Sequence, residues 1–246
     1  MLVIRVIYLE TGMTGPHYMP VMKTRINPSP AKESGNFPSN QQNFIMQNSE
    51  PHVAEVLAEM VDERDTTFHM ARVAWLSVQI GARLGFTENR LAGLRVGAQL
   101  HDVGKFAVPT EILTKAAQLS GPEFEVMKQH PQRGYDLVQR FSWSWPVPDM
   151  VLQHHERIDG SGYPRGLRGP EILPESKIIA VADVVDAMLS NRPYRAALPK
   201  QHVVDELTIW RGTHYDPATV DACLDVLMSF ELVAYALGLG RGSELR

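Results

Sequence analysis

The chain has almost no cysteine. A single residue, Cys223, in 246 excludes an internal disulfide and a thiolate-rich zinc site. That usage fits a reducing compartment, and a cytoplasmic protein is expected. Long uncharged apolar runs are missing too, and nothing approaches the roughly 18 residues of a membrane span. The opening MLVIRVIYLETGM is interrupted by Arg5 and is not followed by a small-residue cleavage pattern, so no signal peptide is expected. Excess positive charge is also absent. Lys and Arg number 24 against 28 Asp and Glu, a net charge of −4, which gives no basic face for duplex nucleic acid. Alternating runs of strand type are few. The glycine-rich stretch DGSGYPRGLRG (159–169) has no Gly-Lys-Ser/Thr and opens no Rossmann unit, so it is not a phosphate loop of that kind.

What is present is helical patterning. Apolar residues make up 44% of the chain, enough for a sizeable core. Residues 1–50 are expected to be a flexible leader, because residues 12–50 are rich in Pro, Asn, Ser and Gly and show no apolar period. From Pro51 the period changes. Val53, Val56, Leu57, Met60 and Val61 form one helix face, and Val73, Leu76, Ile80 and Leu84 form the next, which Gly85 ends. Thr87 caps a helix carrying Leu91, Leu94 and Ala98. Ser120 with Glu123 is a capping box for a helix expected to hold Phe124, Met127 and His130. Pro148 opens another helix, Ile178–Leu189 makes one more, and Pro199 and Pro217 start the last two. The class is all-α, a bundle of about seven to eight helices, with the folded domain over 51–232 and a tail over 233–246.

Five of the nine histidines fall on or beside these helices: His69, His101, His130, His154 and His155. Asp102 and Asp183 accompany them. Helical bundles build metal sites from such inward side chains, and imidazole with carboxylate suits first-row transition metals. The His101-Asp102 pair ends the apolar face of Leu91, Leu94 and Ala98. An isolated His-Asp dipeptide is usually a surface or capping pair, but four further histidines in helical context reverse that expectation. His154 and His155 are consecutive, and neighbours on a helix diverge by about 100°. They would reach two ions, or approach one cluster from its edge. Asp65 stands one turn before His69 and either orients it or holds a further ion. Lys105 offers a point charge to a phosphate oxygen, and Arg192 and Arg195 offer forks for the same purpose. Tyr163 in the glycine-rich loop has a ring that can stack on a ligand.

In order, HMARV (69–73), LHDVGK (100–105), VPTEIL (108–113), MKQHPQRGYDL (127–137), QHHERIDGSGYPRGL (153–167), VADVVDAMLSNRPYR (181–195) and WRGTHYDPATVDA (210–222) resemble the HD-GYP branch of the HD phosphohydrolases. The resemblance covers about residues 52–230. It implies an all-α domain that hydrolyses cyclic di-GMP to pGpG or GMP with two or three iron or manganese ions. By motif it makes His69, His101, Asp102, His130, His154, His155 and Asp183 the metal ligands. Asp65 takes the place where some members carry a glutamate serving a third ion. Asp102 and Lys105 are implied in catalysis. Lys105, Gly162, Tyr163, Pro164, Asp186, Arg192 and Arg195 are implied in holding substrate. Two rival readings accompany this one: a receptor that binds cyclic di-GMP and signals through a protein partner, and a phosphohydrolase of another nucleotide.

Overall fold

The computed structural model describes residues 66–190 and 196–236. The leader, the helix expected around Val53–Val61, and Asp65, Arg192 and Arg195 lie outside the described residues. Among those described there are eight helices of seven residues or more, one single helical turn and two 3-10 turns. The helices are α1 (Thr66–Arg83), α2 (Glu88–Leu100), α3 (Gly121–Met127), α4 (His130–Val138), α5 (Val147–Gln153), α6 (Pro174–Leu189), α7 (Lys200–Ile209) and α8 (Pro217–Ala236).

The boundaries follow local chemistry. Past α1, Gly85 takes φ 77°, a left-handed turn that suits glycine, while Phe86 N–H returns to Gly81 O at 3.0 Å. Thr87 caps α2, accepting from Arg90 N–H at 3.4 Å. Ser120 and Glu123 form the capping box of α3, with the Glu123 carboxylate accepting from Ser120 N–H at 2.7 Å. One expectation fails here. The helix begun at Ser120 does not reach His130 but ends at Met127, and α4 starts at His130. Pro131 is the reason: its ring clashes with a preceding helical carbonyl and its nitrogen has no hydrogen to donate, so it belongs in a first turn.

The core lies on α6. Ile178, Ile179, Val181, Ala182 and Val185 are buried, and the helix packs on α1, α5, α7 and α8. Val73 and Ile80 of α1, Leu94 and Ala98 of α2, and Val203, Leu207, Val220 and Cys223 of α7 and α8 complete this cluster. A second, smaller cluster joins α2, α4 and α5 through Val96, Leu100, Val138, Val147 and Val151. At Gly93, α2 meets Trp145 so closely that an added Cβ would lie 2.3 Å from the indole. The Arg90 guanidinium pairs with buried Glu175 and ties α2 to α6. The two clusters together fix the ends of α2, α4 and α5 close to the middle of α6, which is where the ionisable residues meet. No described helix is long and apolar enough to cross a membrane.

Candidate metal centre

Helix ends supply most of the site. His101 is the cap residue after α2, Asp102 precedes the 3-10 turn Val103–Ala107, His130 is the first residue of α4, and His154 follows α5. His69 comes from the start of α1 and Asp183 from the middle of α6. The last carbonyls of a helix need partners. Three of the imidazoles provide them: His101 Nδ1 lies 2.7 Å from Ala98 O, His130 Nδ1 2.8 Å from Met127 O, and His154 Nδ1 2.7 Å from Val151 O. A carbonyl oxygen only accepts, so each contact places a hydrogen on Nδ1 and turns Nε2 inward.

These inward atoms form two groups. Asp102, His130, His154 and His155 make one, and His69, His101 and Asp183 the other, with ligand atoms in each within 4.8 Å of one another. Asp102 sits between them. Its Oδ1 is 3.3 Å from His130 Nε2 and 3.9 Å from His154 Nε2, while its Oδ2 is 3.4 Å from His101 Nε2 and 3.6 Å from His69 Nε2. Asp183 Oδ1 closes the second group, 3.3 Å from His69 Nε2. His101 Nε2 is buried and has no hydrogen-bond partner among the described residues. Left so, it would forfeit its hydration without compensation. An orphaned buried nitrogen facing two carboxylates, in a set made only of imidazole and carboxylate, fits divalent transition metals.

The electrostatics agree. Burial acts on the Asp102 carboxyl to raise its pKa, but Lys105, His101 and His130 hold it well below the usual range. Asp183 is part-buried, which acts to raise its carboxyl, but His69 and His101 hold it well below the usual range. Burial, reinforced by neighbouring histidines, pushes His154 and His155 well down, so both are neutral at pH 7 and ready to ligate. His69 is the exception. Burial disfavours its charge, yet hydrogen bonds to Asp102, Asp183 and Asp186 lift it to about 10. The carboxylates that favour a proton on His69 favour a cation in the same place.

The remaining motif residues surround this centre. Lys105 Nζ is 2.5 Å from Asp102 Oδ2. The Tyr163 ring stacks on His155 with centroids 4.8 Å apart and meets Phe124 edge-on. Gly162 packs against the chain at Glu156 and Arg157, where a Cβ would lie 2.4 Å from Arg157 N, and the following Tyr163–Pro164 bond is cis. Asp186 does not face the ligand cluster. It lies behind His69, 2.7 Å from Nδ1, and Arg72 binds it from the other side.

Two residues carry structure that the sequence reading gave no role. Arg72 is one. Glu156 is the other: it is buried, and its carboxylate accepts from Arg165 N–H at 2.7 Å and Leu167 N–H at 3.0 Å, clamping the glycine-rich loop beside His155. Its place in HHE was the available signal, since a carboxylate next to two inward histidines must be buried or turned away. Glu156→Gln keeps one acceptor and turns an amide N–H toward a backbone N–H. The expected loss is about 1–3 kcal/mol of stability, the cost of an unsatisfied buried group, read by thermal unfolding.

The family profile described as HD domain matches residues 53–219. A cyclic di-GMP phosphodiesterase of Thermotoga maritima is 40% identical over 178 residues, 70% of this chain and 48% of that protein. A cyclic di-GMP phosphodiesterase response regulator of Xanthomonas campestris is 40% identical over 174 residues, 68% of this chain and 46% of that protein. The chain thus spans about half the length of these curated relatives. Among solved structures, an HDG"Y"P protein from Bdellovibrio bacteriovorus shares the fold with a TM-score of 0.57 at 22% identity, covering 77% of this chain and 68% of that one.

Proposed function

The chain belongs to the HD domain family, and from that membership and the geometry of its centre we propose that it is a metal-dependent phosphodiesterase that opens cyclic di-GMP. The observation that carries the proposal is Asp102, one buried carboxylate whose two oxygens face two separate ligand groups. The reading takes iron or manganese as the metal, two ions in these groups, and a third near Asp65 if that residue also ligates. Bound there, a pair of divalent cations neutralises the phosphodiester and makes water a competent nucleophile near neutral pH.

The chain's own residues do the rest. Asp102, kept ionised, holds the two ligand groups in register. Lys105, paired with Asp102 yet about a quarter exposed, reaches the non-bridging phosphate oxygens and stabilises their charge as the phosphorus centre becomes crowded. Tyr163 presents a ring beside His155 at the edge of the centre, on a loop that Gly162 and Pro164 shape and Glu156 clamps. By motif, Arg192 and Arg195 take the phosphate and guanine groups of the substrate. Asp186 acts on His69 in this reading, as an orienting carboxylate, rather than on substrate. Attack in line with the 3′ oxygen gives linear pGpG, and a second cut gives GMP. Residence in a reducing compartment belongs to the same reading, and the buried, unpaired Cys223 is compatible with it.

The test is turnover by protein purified without oxygen and supplied with Fe(II) or Mn(II), with products separated by chromatography. Linear pGpG or GMP from cyclic di-GMP supports the proposal. Tight binding with no product under both metals would overturn it in favour of a receptor. Faster cleavage of another cyclic dinucleotide would overturn the substrate assignment alone.

A further inference from the structure

The two ligand groups rest on unequal supports. His101, His130 and His154 each bond a neutral backbone carbonyl through Nδ1. His69 bonds a carboxylate, Asp186, at 2.7 Å. That carboxylate is itself fixed. Arg72 Nε reaches its Oδ1 at 2.5 Å and Arg72 Nη2 its Oδ2 at 3.1 Å, and the same Nη2 bonds Ser190 Oγ at 3.0 Å. The bracket spans α1 and the end of α6. In the other group, His155 is instead held by its stack on Tyr163.

Charge is unequal as well. The His69 group contains Asp183 and faces Asp102, with Asp186 behind it; the His155 group has three imidazoles and only Asp102. Lys105 pairs with the shared Asp102, and Arg72 offsets Asp186. After these cancellations the His69 position still holds the additional carboxylate of Asp183. Carboxylate favours Mn(II), and a carboxylate behind a ligating imidazole raises its basicity and fixes its orientation.

We propose that the two positions fill in order, His69–His101–Asp183 first and His130–His154–His155 second, and that Asp186, anchored by Arg72, is the positioning residue that sets the first affinity. The inference rests on the metal-centre reading but not on the identity of the substrate. Its consequence is that turnover tracks the second, weaker ion, so the enzyme responds to the free metal concentration.

The experiment is calorimetric titration of Mn(II) into the metal-stripped full chain, with free ion counted by electron paramagnetic resonance. Two steps of one ion each are expected, the first at least about tenfold tighter. Asp186→Asn should weaken the first step about 10–100-fold and leave the second unchanged. His155→Gln should remove the second step and spare the first. Arg72→Lys, at a half-exposed position, keeps the charge but loses the fork, and should weaken the first step by a smaller factor; it decides the matter if Asp186→Asn does not fold. A single two-ion step, an unchanged first step in both Asp186→Asn and Arg72→Lys, or a first step lost in His155→Gln would overturn the order. Failure to take up any metal would instead defeat the metal-centre reading. Ordered uptake without cleavage of cyclic di-GMP would defeat only the substrate assignment.

Discussion

Asp102→Ala is expected to empty the centre and reduce turnover of cyclic di-GMP at least about a thousandfold. The magnitude follows from what the carboxylate joins. Its two oxygens lie within 4 Å of His69, His101, His130 and His154, so both ligand groups lose a member at once. Charge stabilisation by a metal pair is worth several kcal/mol, and about 4 kcal/mol is a factor of roughly a thousand in rate. Asp102→Asn separates charge from shape. It keeps the volume of the side chain and removes the charge that faces both proposed ion positions, so its activity should fall nearly as far. Metal analysis and circular dichroism on the same samples would show a folded chain with less than one ion retained. A folded Asp102→Ala protein that keeps two ions and full activity would remove the basis of the mechanism.

The second large effect is expected at Gly104. The 3-10 turn carrying Lys105 presses against the start of α4. A Cβ on Gly104 would lie 1.9 Å from His130 O and 2.4 Å from Gly134 N. Both are backbone atoms, so no rotamer change relieves the clash. Either the turn or α4 must move, and α4 begins with His130, a proposed ligand. Gly104→Ala should cost about 3 kcal/mol or more, at the upper end of overpacking. For a chain of this size that is roughly a 10 °C fall in midpoint temperature. The second ligand group should lose affinity together with stability, because His130 moves with the helix. Gly121→Ala is the control: an added methyl there meets nothing within 4 Å, and a change near zero is expected. Equal effects at the two glycines would show that the contact between turn and helix is not what holds His130.

The helical class was legible because the apolar period is strong where helices are amphipathic, as in Val73, Leu76 and Ile80. The ends of helices were legible where a side chain does the capping, as at Thr87 and Ser120. They were not legible where a proline alone sets the boundary. Pro131 ends the expected helix short of His130, and that break places His130 at a helix start with its ring against Met127 O. The histidine pair was open in the sequence for a related reason. Consecutive helical residues diverge, but α5 ends at Gln153, so His154 and His155 leave the helix and their rings come together with centroids 4.1 Å apart. Both belong to one ligand group rather than two.

The inward imidazoles were legible as an ordered set; the residues behind them were not. Asp186 and Arg72 lie 114 positions apart in the chain and meet only because α1 packs on α6. Glu156 binds backbone N–H groups of Arg165 and Leu167, which carry no signature of their own in sequence. Such partners fix the rotamers on which a ligand set depends. Motif spacing names the atoms that can meet a metal, but the packing of helices decides which carboxylate faces the centre and which stands behind it. Asp183 and Asp186, one turn apart on α6, take those two different places.

The most direct measurement is turnover of cyclic di-GMP against bound metal per chain, on samples prepared without oxygen and titrated with Mn(II) from none to excess. The account predicts little product up to one ion per chain and a rise to full activity as the second ion binds, with pGpG or GMP as the product. Activity at full rate in the metal-stripped chain, or two bound ions with no cleavage, would contradict it.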